Sequence, residues 1–151
     1  MFKKRSFQVK SYSFIIAILV IMFAGVASAQ RMTVNVSMAN IRSGPGTNYD
    51  VLWKVEKYHP IHVIKKSGSW YQFRDFEGDK GWISKDLVRN FASVIVIKNK
   101  CNVRSGPGVG NKIVMTVEKG VPFKETERKG EWVRIRHSDG EKGWIHKALV
   151  W

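Results

Sequence analysis

The chain has 151 residues, 44% of them hydrophobic, and its 26 basic and 12 acidic residues give a formal net charge of +14 at pH 7. A positive field of this size favours anionic partners in general. The single cysteine, Cys101, excludes an internal disulfide framework.

The first 29 residues have the organisation of a secretory signal peptide. A basic start at Met1–Lys10 precedes an apolar run at Phe14–Val26 and the small-residue end Ala27-Ser28-Ala29. The alternative is a retained membrane anchor, but the run has 13 residues (26 − 14 + 1), whereas a spanning helix needs about 20. We therefore predict cleavage after Ala29 and an exported protein, periplasmic or secreted and cell-wall associated, with no stable membrane anchor.

One seven-residue motif occurs twice at a fixed offset. The sequence N-I-R-S-G-P-G at 40–46 returns as N-V-R-S-G-P-G at 102–108, an offset of 62 (102 − 40) that continues without a gap to the end of each copy. A fixed period indicates that one small module is used twice. The sequence thus predicts a signal peptide at 1–29, a first module at 31–89 and a second module at 93–151.

The first copy has the pattern of short strands separated by turns. Six segments have the alternation of apolar and polar residues, or the aromatic residues, that are typical of strands. They are Met32–Val36, Ala39–Arg42, Val51–Val55, Ile61–Lys65, Trp70–Arg74 and Lys80–Ser84. The Gly44-Pro45-Gly46 sequence predicts a type II turn with positive φ at Gly46, and Ser84–Leu87 predicts one helical turn. Because Tyr58 stands where the second copy has Gly120, we expect the turn at Tyr58 to differ from its twin.

The second copy repeats this pattern. Its predicted strands are Val94–Lys98, Cys101–Arg104, Ile113–Val117, Pro122–Glu127, Trp132–Arg136 and Lys142–Ile145. Several short strands with turn signals at close spacing predict an all-β protein made of two tandem small barrels. The short connection Arg89–Ala92 predicts that the two barrels sit against each other.

The order of these motifs, with G-x-K-G-W-I and a closing Leu-Val in each copy, resembles the bacterial SH3-like domain. The resemblance covers nearly all of the chain after the signal peptide, twice. It implies two tandem SH3-like β-barrels and a role in binding cell-wall peptides or in positioning a partner domain. Glu125 departs from the pattern, since the family and Val63 of the first copy place an apolar residue there. We expect an edge-like strand, or an ion pair with Arg134 or Arg136, because an unpaired buried carboxylate is costly.

The resemblance also implies a ligand groove between the long loop after the motif and the tryptophans of each copy. The implied ligand-binding residues are Tyr49, Trp70, Tyr71 and Trp82 in the first copy and Trp132 and Trp144 in the second, where Asn111 and Val133 replace the two tyrosines. Aromatic faces supply contact area at modest entropic cost, so we expect the first copy to bind better. The alternative is that the tryptophans belong to the barrel structure, most of all Trp82 and its twin.

One arginine in each copy of the repeated motif flanks the turn. Arg42 and Arg104 have the guanidinium geometry for holding a carboxylate through two hydrogen bonds. The alternative is that they brace the following loop through its backbone carbonyls. We list both as candidate ligand-binding residues.

The remaining reactive side chains favour a binding protein over an enzyme. Cys101 is expected to be a small buried thiol, with an intermolecular disulfide or a reactive thiol as alternatives. His59 and His62, three residues apart in a strand, point to opposite faces, so we predict no metal site, no cofactor and no catalysis. The expected partner is cell-wall peptidoglycan, through its peptide, or another anionic envelope polymer, and not nucleic acid. The alternative is a periplasmic adapter that binds a protein partner.

Overall fold

The computed structural model describes residues 29–151, which form two β-sheets. Apart from Ala29, the predicted signal peptide lies outside the described residues. Module one contains β1 (Gln30–Val34), β2 (Met38–Arg42), β3 (Val51–Glu56), β4 (Pro60–Ser67), β5 (Trp70–Arg74), β6 (Lys80–Ser84) and β7 (Val88–Arg89). Module two contains β8 (Ser93–Ile95), β9 (Cys101–Arg104), β10 (Ile113–Val117), β11 (Pro122–Lys129), β12 (Trp132–Arg136) and β13 (Lys142–His146). The predicted all-β fold is confirmed, although β8 ends before the predicted boundary at Lys98.

The two sheets share one antiparallel topology. The strand order is β3-β2-β6-β5-β4-β1-β7 in module one and β10-β9-β13-β12-β11-β8 in module two. In module one β1 pairs with β7 at Val34 and Val88, and an isolated bridge joins the equivalent Val96 and Val150 in module two. A 3-10 helix precedes each of these closing pairs, at Lys85–Leu87 and Lys147–Leu149, where the sequence predicts a helical turn in the first copy.

Both modules carry β-bulges at equivalent positions. The register shifts between Val63 and Lys65 in β4, and between Glu125 and Glu127 in β11. A bulge inserts one unpaired residue and reverses the faces of the residues that follow it. Strict alternation therefore fails along the second half of both strands.

Each module has its own apolar core of inward-facing strand residues. The largest fully buried side chains include Ile61 and Phe73 in module one and their twins Phe123 and Ile135 in module two. In each module one of these two positions holds phenylalanine and the other isoleucine, but the two residues are exchanged between the neighbouring strands. The total volume of the pair is therefore the same in both cores. Cys101 is 3% exposed, packs in the second core where module one has Ala39, and donates its thiol to the carbonyl of Lys98 at 3.1 Å. The expectation of a buried thiol is confirmed.

The turn at Tyr58 does not differ from its twin, contrary to the sequence expectation. Tyr58 adopts a φ of 74°, close to the 90° of Gly120. Its N–H donates to the carbonyl of Val34 at 2.8 Å, as that of Gly120 does to Val96 at the same distance. A tyrosine in this left-handed region carries backbone strain. The Tyr58 ring is buried and meets Phe91 edge-on at 6.1 Å, a contact that offsets the strain.

The repeated Gly-Pro-Gly segments are not type II turns. Positive φ in the described residues is confined to other positions, and the N–H of Gly46 donates to the carbonyl of Gly44 at 3.0 Å, a three-residue turn centred on the proline. Gly44 is needed for a different reason, because a Cβ at this position would collide with the ring of Tyr49. The second copy has the same Gly108-to-Gly106 hydrogen bond, at 3.1 Å.

Glu125 has a different partner from those predicted. Its carboxylate accepts two hydrogen bonds from Arg128, at 2.6 and 2.8 Å, whereas Arg134 pairs with Glu127 at 3.3 Å. The strand is not an edge either, since β11 lies between β12 and β8. The bulge explains the difference, because it brings Glu125 and Arg128, which oppose Ile135 and Val133, to the same face.

Buried hydrogen bonds connect the two modules. The Thr33 hydroxyl donates to the carbonyl of Phe91 and contacts the hydroxyl of Ser93, both at 2.6 Å. Thr33 is 0% and Ser93 3% exposed. The guanidinium of Arg31 donates to the carbonyl of Ser93 at 3.1 Å and lies 4.5 Å from the ring centroid of Trp151. The modules therefore sit against each other, as the short connection predicts.

Candidate functional site

The tryptophans of the Gly-Trp-Ile elements are covered. Trp82 alternates with Gly81 and Ile83, which face the core, so its ring lies on the outer face of β6, yet it is only 7% exposed. Trp144 occupies the same position in β13 and is 8% exposed. Burial of this extent supports the structural alternative for both residues and leaves little ring surface for a ligand.

Both arginines of the repeated motif hold the loop that follows them. Nη1 of Arg42 donates to the carbonyls of Thr47 and Tyr49, at 3.0 and 2.8 Å. Nη1 of Arg104 donates to the carbonyl of Asn111 at 2.9 Å. The bracing alternative therefore describes their contacts, and direct ligand binding by either arginine stays a prediction.

The four aromatic residues expected to form one set in module one do not lie together. Trp70 and Gln72 occupy the outer face of β5, whereas Tyr71 packs against the core cluster that contains Phe73. The ammonium groups of Lys66 and Lys85 lie 5.7 and 5.1 Å from the Tyr71 ring centroid. Trp70 and Tyr71 therefore point to opposite faces of β5, and ligand binding by either residue stays a prediction.

Tyr49 serves the loop as well as the surface. Its ring packs over Gly44 and Gly46 and remains 43% exposed. The twin residue Asn111 takes the same place in module two, where its side-chain amide donates to the carbonyl of Gly108 at 3.3 Å. Tyr49 and Trp70 are the predicted aromatic residues of module one that retain accessible ring surface on the outer side.

Module two has a defined groove beside the loop, with a volume of about 290 Å³. The residues that give it its chemistry are Lys98, Lys100, Arg104, Val109, Trp132 and His146. Arg104 and Trp132 were predicted from the sequence, and the two lysines, Val109 and His146 were not. The signal for the lysines is the local K-N-K sequence at 98–100, one residue before the repeated motif, where module one has Val36 and Met38 at the two lysine positions.

The groove is positively charged and aromatic. Its lining contains no carboxylate side chain, and both lysines are exposed. Trp132 meets the ring of His146 edge-on at 5.5 Å. His146 Nδ1 accepts the N–H of Ala148 at 3.2 Å, which leaves Nε2 as the ring nitrogen that can donate a hydrogen bond to a ligand. Ammonium, guanidinium and indole groups together suit an acidic ligand with an apolar portion.

The thiol at the inner end of this groove is unreactive by its environment. Burial raises the pKa of the Cys101 thiol above its ordinary value. The thiolate is the nucleophilic form of cysteine. The geometry thus supports a binding groove and gives no role to Cys101 as a nucleophile.

Comparison with known proteins places this geometry in a family. Residues 35–90 and 98–151 each match the family described as the bacterial SH3 domain. Bacillus subtilis YrvJ, named as an N-acetylmuramoyl-L-alanine amidase, is 24% identical over 140 residues, which cover 85% of this chain and 27% of that protein. Staphylococcus epidermidis LytH, named as a cell wall amidase, is 36% identical over 52 residues, which cover 34% of this chain and 18% of that protein.

A solved NlpC/P60 family protein from Bacillus cereus is similar at 14% identity, with a TM-score of 0.40 and coverage of 81% of this chain and 56% of that chain. The chain spans 27% of the length of YrvJ and 18% of the length of LytH. Within residues 29–151, no helix is long and apolar enough to cross a membrane.

Proposed function

The chain belongs to the bacterial SH3 domain family, and we propose that it is a non-catalytic binding protein that holds acidic groups of a cell-wall polymer in the groove of module two. The ligand class is an anionic wall polymer such as the peptide portion of peptidoglycan, which carries carboxylates. The names of the relatives support this class, since YrvJ is named as an N-acetylmuramoyl-L-alanine amidase and LytH as a cell wall amidase.

The observation that carries the proposal is the composition of the groove. Lys98, Lys100 and Arg104 supply positive charge with no carboxylate side chain in the lining, and Trp132 supplies an aromatic wall. Charged groups at an exposed site give steering and orientation, whereas affinity comes mainly from the aromatic contact. Two modules on one short connection also allow avidity when both reach the same polymer.

A retention assay on purified sacculi tests the proposal. We expect Trp132→Ala to weaken binding about tenfold, equivalent to about 1.4 kcal/mol, and the twin change Trp70→Ala to weaken it less. Lys98→Gln with Lys100→Gln keeps side-chain length at two exposed positions and should lower retention without affecting folding, which circular dichroism checks.

Two outcomes would contradict the proposal. No retention of the wild-type protein at physiological salt would remove wall binding as a function. Retention that disappears in modest salt, and that Trp132→Ala leaves unchanged, would indicate charge attraction alone, which salt screens.

A further inference from the structure

A second cavity lies where the two modules meet, and its charge is opposite to that of the groove. It has a volume of about 440 Å³ and is formed mostly by module one, with Gly120 and Pro122 of module two completing its wall. Four carboxylates line it, from Glu56, Asp75, Glu77 and Asp79, and two lysines oppose them: Lys54 in the lining and Lys119, which pairs with Glu77. This concentration of negative charge stands out in a chain whose net charge is +14.

The deepest polar groups of the cavity are fixed in place. Asp75 is 7% exposed, and its Oδ1 accepts the N–H groups of Glu77 and Asp79, both at 2.9 Å. These bonds hold the loop so that three of the carboxylates occupy one wall. The acidic character is therefore built into the turn between β5 and β6.

His59 also lines the cavity and has an unused hydrogen-bonding atom. The residue is 7% exposed, and among the described residues its Nε2 has no hydrogen-bond partner. Burial lowers the pKa of His59 to about 4, so the ring is neutral at pH 7 and adds no positive charge. A buried polar atom without a partner is rare in folded proteins and calls for an explanation.

The spacing of the acidic groups favours an organic cation over a metal ion. Across residues 29–151, no three His, Cys, Asp or Glu side chains are grouped closely enough to hold a metal. A volume of 440 Å³ is in the range of small-molecule sites. Trp53 and Phe76 add aromatic walls, which attract cations through the ring quadrupole.

The protein itself places one ammonium group against this lining. Lys119 of module two donates to Oε1 of Glu77 at 2.6 Å and lies 5.8 Å from the ring centroid of Phe76. The combination of a carboxylate and an aromatic face thus already accommodates an alkylammonium at the edge of the cavity. The interior offers the same two kinds of group.

We propose that this cavity binds a primary ammonium group carried by a peptide. The site is specific to module one and the junction, because His59, Trp53 and Phe76 correspond to Val121, Met115 and Ser138 in module two. It is separate from the groove at Trp132, and the two sites together would recognise a ligand with both acidic and amino groups. The cavity proposal does not depend on the groove proposal.

The test is a titration of the protein, followed by amide chemical shifts, with two probes. L-alanyl-L-alanine amide carries an α-ammonium group, and Nα-acetyl-L-lysine N-methylamide carries a side-chain ammonium group. We expect saturable shifts in the Asp75–Asp79 loop with at least one probe, and no such shifts with the fully acetylated, neutral form of either. The probe that binds identifies the source of the ammonium group.

A matched pair of double variants gives the decisive comparison. Glu56→Gln with Asp79→Asn removes two charges from the cavity, and no described hydrogen bond of these side chains is lost. The control is Glu118→Gln with Glu141→Gln at the twin positions of module two. We expect the first pair to weaken probe binding about tenfold and the control to leave it unchanged. Equal binding of neutral and charged probes, or equal affinity in both double variants, would overturn the proposal.

Discussion

Module one and module two have the same strand order, equivalent bulges and the same closing pair, yet the residues at equivalent positions beside the loop differ in chemistry. At the positions of Lys98 and Lys100, which line the groove with Trp132, module one has Val36, which packs against its core, and Met38. Met38 is 51% exposed. The backbone also differs, since Lys100 has a φ of 54° and donates its N–H to Glu118, whereas Met38 lies in regular strand. One fold thus carries two exposed lysines in module two where module one has a core-packing valine and an exposed methionine.

This difference revises the ranking of the two modules. The expectation that module one binds better rests on its four aromatic residues, of which Trp82 is covered and Tyr71 faces the core. For an acidic ligand, Lys98 and Lys100 add attraction at two positions where module one has apolar side chains. The comparison teaches that aromatic count is a poor guide to a binding surface unless the face of each residue is known.

The largest effect is expected at the glycine of each Gly-Trp-Ile element, where an added Cβ would meet other residues of the same module. A Cβ at Gly143 would lie 2.9 Å from the backbone carbonyl oxygen of Arg104, which cannot move aside, whereas a Cβ at Gly81 would meet the side chains of Ile41 and Trp53. We expect Gly143→Ala to destabilise module two by about 3 kcal/mol, and Gly81→Ala to destabilise module one by about 1–2 kcal/mol. Urea unfolding with module-specific amide signals measures both. Equal losses would show that the two sheets accommodate the methyl group in the same way.

The next effect distinguishes the modules by their response to acid. Burial lowers the pKa of His59 from 6.5 to about 4, so between these values the unfolded chain binds more protons and stability falls as the pH decreases. The loss is about 2 kcal/mol at pH 5. We expect His59→Val, which copies Val121 of module two, to remove this loss. Urea midpoints at pH 7.5 and 5 measure it.

Other titrating groups set the background for that comparison. Burial also lowers the pKa of His62 and raises that of Asp75. The first change adds to the acid sensitivity and the second opposes it, and both are present in the wild-type protein and in the variant. Parallel pH profiles for the two proteins would show that His59 is not buried as a neutral ring.

The repeat explains how much of the fold could be predicted from the sequence. Because the offset of 62 aligns each strand with a twin, a weak strand pattern in one copy is supported by the other. The repeat could not reveal the bulge, because a bulge has no characteristic residue pattern. It reverses the face on which each later side chain of the strand lies. The partner of Glu125 was therefore predicted incorrectly. Tyr58 was also predicted incorrectly, because its contact with Phe91 overrides the local preference for glycine.

The candidate site was predictable only in part, for a related reason. Trp132 and Arg104 follow from the repeated motif, and both line the groove. Lys98 and Lys100 were missed because their twins are apolar, so a search for shared residues passes over them. The acidic cavity was missed because it needs the second module as a wall, a tertiary arrangement that neither copy encodes alone.

The smallest predicted effect concerns the junction that brings the two modules together. Thr33→Val keeps the shape of the side chain but removes the hydroxyl that donates to the Phe91 carbonyl and contacts Ser93. Its twin Ile95 shows that an apolar side chain fits this position of the barrel. We expect the free energy of unfolding to fall by about 1.5 kcal/mol, because buried partners are left unsatisfied, and proteolysis at the connection 89–92 to become faster.

The control is Lys119→Ala, which removes an ion pair whose side chains are 45% and 48% exposed. Exposed pairs contribute about 0–1 kcal/mol, so a larger loss for Lys119→Ala than for Thr33→Val would show that surface charge, rather than the buried hydroxyls, holds the modules together.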